Sequence, residues 1–75
     1  MNPDIHPFKW AFVGIPTDPD ENTRVCWGRA GSVEDAKLCA EVILEAMPLE
    51  EVKRAKVMIW RDGVAVLTGD LRRVE

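Results

Sequence analysis

Ser32-Val33-Glu34-Asp35-Ala36-Lys37-Leu38-Cys39-Ala40-Glu41-Val42-Ile43-Leu44-Glu45-Ala46-Met47-Pro48 is the stretch on which the reading of the fold turns. Ser32 is the chain's only serine, and Asp35 follows it three residues on. That spacing predicts a helix start of the capping-box kind, with Asp in place of the usual Glu. Glu34 and Asp35 then lie at the positive end of the helix dipole, where acids are favoured. At ~100° per residue, Val33, Ala36, Cys39, Ala40, Val42, Ile43, Leu44, Ala46 and Met47 share one broad apolar arc. Glu34, Lys37, Glu41 and Glu45 take the other side, with Leu38 as the apolar exception. Pro48 disfavours helical geometry in the residue before it, so the helix is expected to end near Met47.

Upstream of this helix, Phe8 to Ile15 is aromatic and β-branched and suits a strand. Pro16-Thr17-Asp18-Pro19-Asp20-Glu21-Asn22 is turn chemistry, and Thr23 to Arg29 reads as a second strand returning from it. Downstream, Pro48 suits the first position of a short second helix, with Glu50 and Glu51 in its first turn. Lys56 to Trp60 reads as a third strand. Arg61-Asp62-Gly63 is a tight-turn signal, and Val64 to Thr68 pairs back as the fourth. Residues 1–7 read as an extended arm and residues 69–75 as a basic tail. The expectation is one α+β domain over residues 1–75, in ββα(α)ββ order. Its four-stranded, mainly antiparallel sheet has one main amphipathic helix on one face.

The strands carry apolar residues on both sides. Phe8, Trp10 and Phe12 oppose Ala11, Val13 and Ile15; Val57 and Ile59 oppose Met58 and Trp60; Val64 and Val66 oppose Ala65 and Leu67. A sheet with one wet face alternates apolar and polar residues instead. One helix covers one face, so the second is either shielded by the arm and the short helix or buried in a dimer or a partner. The pattern favours the interface.

Composition places the chain among globular proteins, at 47% hydrophobic and 31% charged, with a net charge of −3. Charge is uneven: residues 1–47 hold four basic and eight acidic groups, and residues 48–75 six and five. A net acidic surface suits a basic protein better than a phosphate backbone, which needs a positive field. No apolar run approaches the ~20 residues that cross a bilayer. The first residues lack the basic start and apolar stretch of a signal peptide, so an intracellular, cytoplasmic protein is expected. Cys26 and Cys39 fit that compartment as free, buried thiols, although a disulfide stays formally open.

Catalytic equipment is sparse. His6 is the only histidine and falls in the arm; Ser32 serves better as a cap than as a nucleophile; there is no tyrosine. Zinc needs about four ligands, more than these cysteines and this histidine provide. Asp18-x-Asp20-x-Asn22 copies the opening of a calcium loop, but Thr23 stands where its turn needs glycine and Arg29 where its bidentate Glu belongs. The expectation is therefore no enzyme, no cofactor and no metal. Nucleic-acid binding has one supporting feature, Lys53, Arg54, Lys56, Arg61, Arg72 and Arg73 beside Trp60, and the net charge opposes it. Of Trp10, Trp27 and Trp60, at least two are expected to fill the core.

Gly28-Arg29-Ala30-Gly31-Ser32, leading into an alanine-containing helix, a closing hairpin from Val57 to Leu67 and a terminal Leu71-Arg72, resembles the small phage-borne anti-CRISPR proteins that inhibit type I systems. The resemblance spans roughly residues 24–72 and assigns no individual residue a role. It implies an inhibitor that binds a CRISPR surveillance complex or its nuclease and blocks DNA capture or cleavage. Independently of it, the acidic residues Asp18, Asp20 and Glu21 on the loop and Glu34, Glu41 and Glu45 on the helix are candidate contacts to a basic protein partner, with Trp60 as the candidate aromatic anchor. A homodimer through the second sheet face is the alternative.

Overall fold

The computed structural model describes residues 5–73. It contains β1 (Phe8–Pro16), β2 (Arg24–Ala30), α1 (Val33–Ala46), β3 (Val52–Arg61) and β4 (Val64–Arg72). The strands form one antiparallel sheet in the order β2-β1-β3-β4, and α1 packs on one face of it. The architecture is the expected α+β arrangement.

The helix begins as the sequence predicts. Ser32 is extended at φ −151°, and its Oγ accepts a hydrogen bond from the Asp35 amide at 3.1 Å. Its inward face is narrower than the predicted arc. Ala36, Ala40 and Leu44 are buried, while Val33, Cys39, Ile43 and Met47 pack half-buried against the core. Val42 and Ala46, both placed on the apolar arc, are exposed, and Leu38 and Val42 are each 58% exposed. The cause is the small size of Ala36 and Ala40. They seat the helix close to the sheet, so only a narrow stripe touches it.

Under that stripe lie Phe12, Val52, Ala55, Val57 and Ile59, all buried. Phe12 and Ile59 are 0% exposed, and burying side chains of this size contributes about 1.5–3 kcal/mol each. Trp10 completes the core and packs across Gly28, its register partner on β2. A Cβ at Gly28 would stand 2.7 Å from the Trp10 ring, so the indole occupies the space a side chain would take.

Three segments differ from the sequence reading. The predicted second helix is a single turn, in which the amides of Glu51 and Val52 both donate to the Pro48 carbonyl at 3.1 Å. Strand β3 begins at Val52, four residues before the predicted Lys56. Its start is masked by a bulge: Ile15 pairs with Arg54 but Pro16 with Val52, which leaves Lys53 over and resets the alternation. Val52 and Ala55, three apart, therefore both point at the helix. Gly69 and Asp70, read as the start of a tail, continue β4 opposite Val57 and Lys56. Residues 1–4 of the predicted arm and 74–75 of the predicted tail lie outside the described residues. The Asp62-Gly63 hairpin has both φ values positive, 52° and 79°, as a type I′ turn requires.

Arg73 ties the end of β4 to the end of α1. Its amide donates to the Lys53 carbonyl at 3.0 Å, and its guanidinium donates to the carbonyls of Leu44 and Met47. The Leu44 carbonyl also accepts from the Met47 amide at 3.2 Å, and both carbonyls belong to the last turn, which a helix leaves short of donors. Replacing Arg73 with Ala is expected to lower stability by about 1–3 kcal/mol in urea denaturation. Arg73→Lys is expected to recover only part of that loss, because one ammonium reproduces the two-carbonyl bridge poorly.

Candidate functional site

The face of the sheet opposite α1 has no covering layer among the described residues. Its side chains follow from the register as four rows across the strands in the order β2, β1, β3, β4. The first row, nearest the Asp62-Gly63 hairpin, is Arg29, Lys9, Trp60 and Ala65. The second is Trp27, Ala11, Met58 and Thr68, and the third is Val25, Val13, Lys56 and Asp70. Ile15, Arg54 and Arg72 close the far end. The apolar middle is therefore bracketed by cations at both ends.

Exposure matches this placement. Trp27 is 75% exposed, Ala11, Val13, Ile15, Met58 and Trp60 are half-buried, and Lys9, Arg54, Lys56 and Arg72 are exposed. Two of the cross-strand pairs, Lys9 with Arg29 and Arg54 with Arg72, set cation directly opposite cation. Such pairs destabilise a sheet when nothing neutralises them. Arg29 is oriented in part by the His6 carbonyl, to which its Nη1 donates at 3.5 Å. Asp70, opposite Lys56, is the one acid in these rows.

Between the first two rows lies a hollow of about 400 Å³, lined by Lys9, Trp10, Ala11, Trp27, Gly28, Arg29 and Trp60. A second hollow, of about 550 Å³, shares Lys9, Arg29 and Trp60 and extends past Pro7 to Asp62 and Gly63. Lys9, Arg29 and Trp60 thus line both hollows.

The candidate contacts named from the sequence do not share a surface. Asp18, Asp20 and Glu21 are exposed on the β1–β2 loop at one end of the sheet, where the Asp18 carboxylate accepts from the Asp20 amide at 3.0 Å. Glu34, Glu41 and Glu45 are exposed on α1, on the far side of the sheet from Trp60. Trp60 is half-buried on the uncovered face. The basic set divides as well: Arg54, Lys56 and Arg72 join Trp60's face, Arg61 lies over the Phe8 ring at 5.4 Å, and Arg73 is spent on the helix end. Of the tryptophans only Trp10 is buried. Sequence reasoning missed Lys9, Ala11 and Trp27 as site residues; strict alternation from the buried Phe12 was the signal available for the first two.

Cys26 and Cys39 are free and half-buried. No group of three or more His, Cys, Asp or Glu is arranged to hold a metal among the described residues. No helix among them is long and apolar enough to cross a membrane. Comparison with known proteins finds no matching family model, no matching curated protein and no matching solved structure.

The uncovered face makes a direct optical prediction. Trp27 is expected to dominate collisional quenching of the fluorescence by acrylamide, because Trp10 is 8% exposed against its 75%. In Trp27→Phe the quenching slope is expected to fall by more than half. An unchanged slope would mean that something already covers that indole in solution.

Proposed function

We propose that this protein is a non-catalytic binding module that takes single-stranded nucleic acid across the uncovered face of its sheet. The observation that carries the reading is the segregation of charge. Lys9, Arg54, Lys56 and Arg72 share that face with Trp27 and Trp60, whereas Glu34, Asp35, Glu41 and Glu45 lie on the helix behind it. A net charge of −3 argues against a polyanion only if the charge is spread evenly. Here the acids of the helix stand behind a helix about 10 Å thick. The helix and the sheet separate them from the cations, so the charges nearest a ligand on the uncovered face are Lys9, Arg29, Arg54, Lys56 and Arg72 against Asp70.

An exposed indole on a sheet is a stacking platform for unpaired bases, and neighbouring cations meet the phosphates. A second copy fits the face less well, since two such faces brought together would oppose cations with cations. In fluorescence anisotropy with a labelled single-stranded oligonucleotide, affinity is expected to fall with salt at a log–log slope of about −2 to −3, as three or four phosphate contacts give. Arg54→Glu with Lys56→Glu is expected to weaken binding by roughly tenfold or more and flatten that slope. Absence of binding at low salt would overturn the reading.

A second reading rests on the outer surface of α1, where the exposed Leu38 and Val42 sit among Glu34, Glu41 and Glu45. An apolar pair ringed by acids suits a basic protein surface, and this is the kind of partner implied by the resemblance to anti-CRISPR inhibitors of type I systems. Under this reading, Glu41→Lys with Glu45→Lys abolishes capture of a type I surveillance complex. Oligonucleotide affinity does not decrease in the same variant. Undiminished capture would remove this second reading.

A further inference from the structure

The geometry points to a subsite for one unstacked nucleobase, seated over Ala11 against the Trp27 indole, with Lys9 and Trp60 at its other side. This inference rests on the nucleic-acid reading and adds where a base goes. Trp27 and Ala11 belong to one row of the uncovered face, and Lys9 and Trp60 to the next. Rows on one face of a strand are two residues apart, about 6.8 Å along the chain. On β2 the residue two along from Trp27 is Arg29, while Lys9 and Trp60 stand one and two strands over at about 4.8 Å per strand, so a planar ring has room to lie against the Trp27 indole over the β1 backbone.

The hollow of about 400 Å³ between these rows is where such a ring would lie. It exists because Ala11 is the smallest side chain of its row: Trp27 and Met58, its two register partners, stand on either side of it. The Lys9 ammonium gives the site a cation close to where a phosphate attached to that base would pass. Both walls stand on strands rather than on a loop, so the backbone that carries them is in place before any ligand arrives. A duplex keeps its bases paired and stacked, so the subsite selects single strands.

The test compares two probes of equal length and charge: an oligothymidylate of roughly ten nucleotides, within the usual span of a small single-strand binder, and the same phosphodiester chain made of abasic units. The intact protein is expected to bind the oligothymidylate at least about tenfold more tightly than the abasic chain, with quenching of tryptophan fluorescence only by the former. Trp27→Ala, at a position too exposed to matter for folding, is expected to erase that difference by weakening the base-bearing probe alone. Ala11→Leu, which fills the floor of the slot, is expected to do the same. Equal affinity for both probes, or a preference untouched by either substitution, overturns the subsite while leaving the charge-based reading intact. Failure to bind either probe at low salt overturns both together.

Discussion

The close seating of one alanine-faced helix on β1 and β3 is the contact on which the rest of the molecule depends. Ala36 and Ala40 are fully buried beside Phe12 and Ile59, and nothing larger would let the helix approach so near. With 14 residues the helix is about 21 Å long and roughly 10 Å wide. Four strands at about 4.8 Å spacing make a sheet wider than that. The helix therefore dehydrates the middle of one face. At the β4 margin Leu67 and Leu71 stay half-buried, and on the reverse face Trp27 stays in water. A single helix leaves a surface over, and the use of that surface is the functional question.

The helix was legible because several local signals coincide within a few residues: the Ser32 cap, the acids after it, the apolar period and the terminating Pro48. Each works through nearest neighbours, so no knowledge of the fold is needed to read it. The sheet was legible in its element sequence and its two hairpins, and much less so in its margins. A bulge at Lys53 breaks the alternation that identifies a strand, so Val52 to Ala55 looks like a charged turn. Gly69 and Asp70 have turn propensity, yet Val57 and Lys56, both inside the expected third strand, pair with them. The early start of β3 adds Ala55 and Arg54 as partners for Leu71 and Arg72, which carries β4 to its end.

The three tryptophans show the same limit at the level of the site. Trp10 and Trp60 have opposite parity relative to the helix, which follows once Phe12 and Ile59 are known to be core. Trp27 sits on an edge strand, and its side is decided by its pairing with Ala11. Gly28 is the only local hint: a glycine in mid-strand marks close approach by another group, here the Trp10 ring on the buried side. That leaves both neighbours of Gly28, Trp27 and Arg29, on the outer side.

Net charge misleads for a related reason. It sums over a chain whose acids are concentrated in the helix and the β1–β2 loop and whose cations alternate along strands. The cations at 9, 29, 54, 56 and 72 look scattered in sequence, and the register brings them to one face. There they stand in like-charged cross-strand pairs, Lys9 against Arg29 and Arg54 against Arg72. An arrangement chosen for stability or solubility alone would alternate the signs across the sheet, as Lys56 and Asp70 do. Under the proposed reading, a polyanion lying along the face lowers this repulsion. That asymmetry, more than the presence of exposed tryptophan, is what separates this face from an ordinary wet side of a sheet.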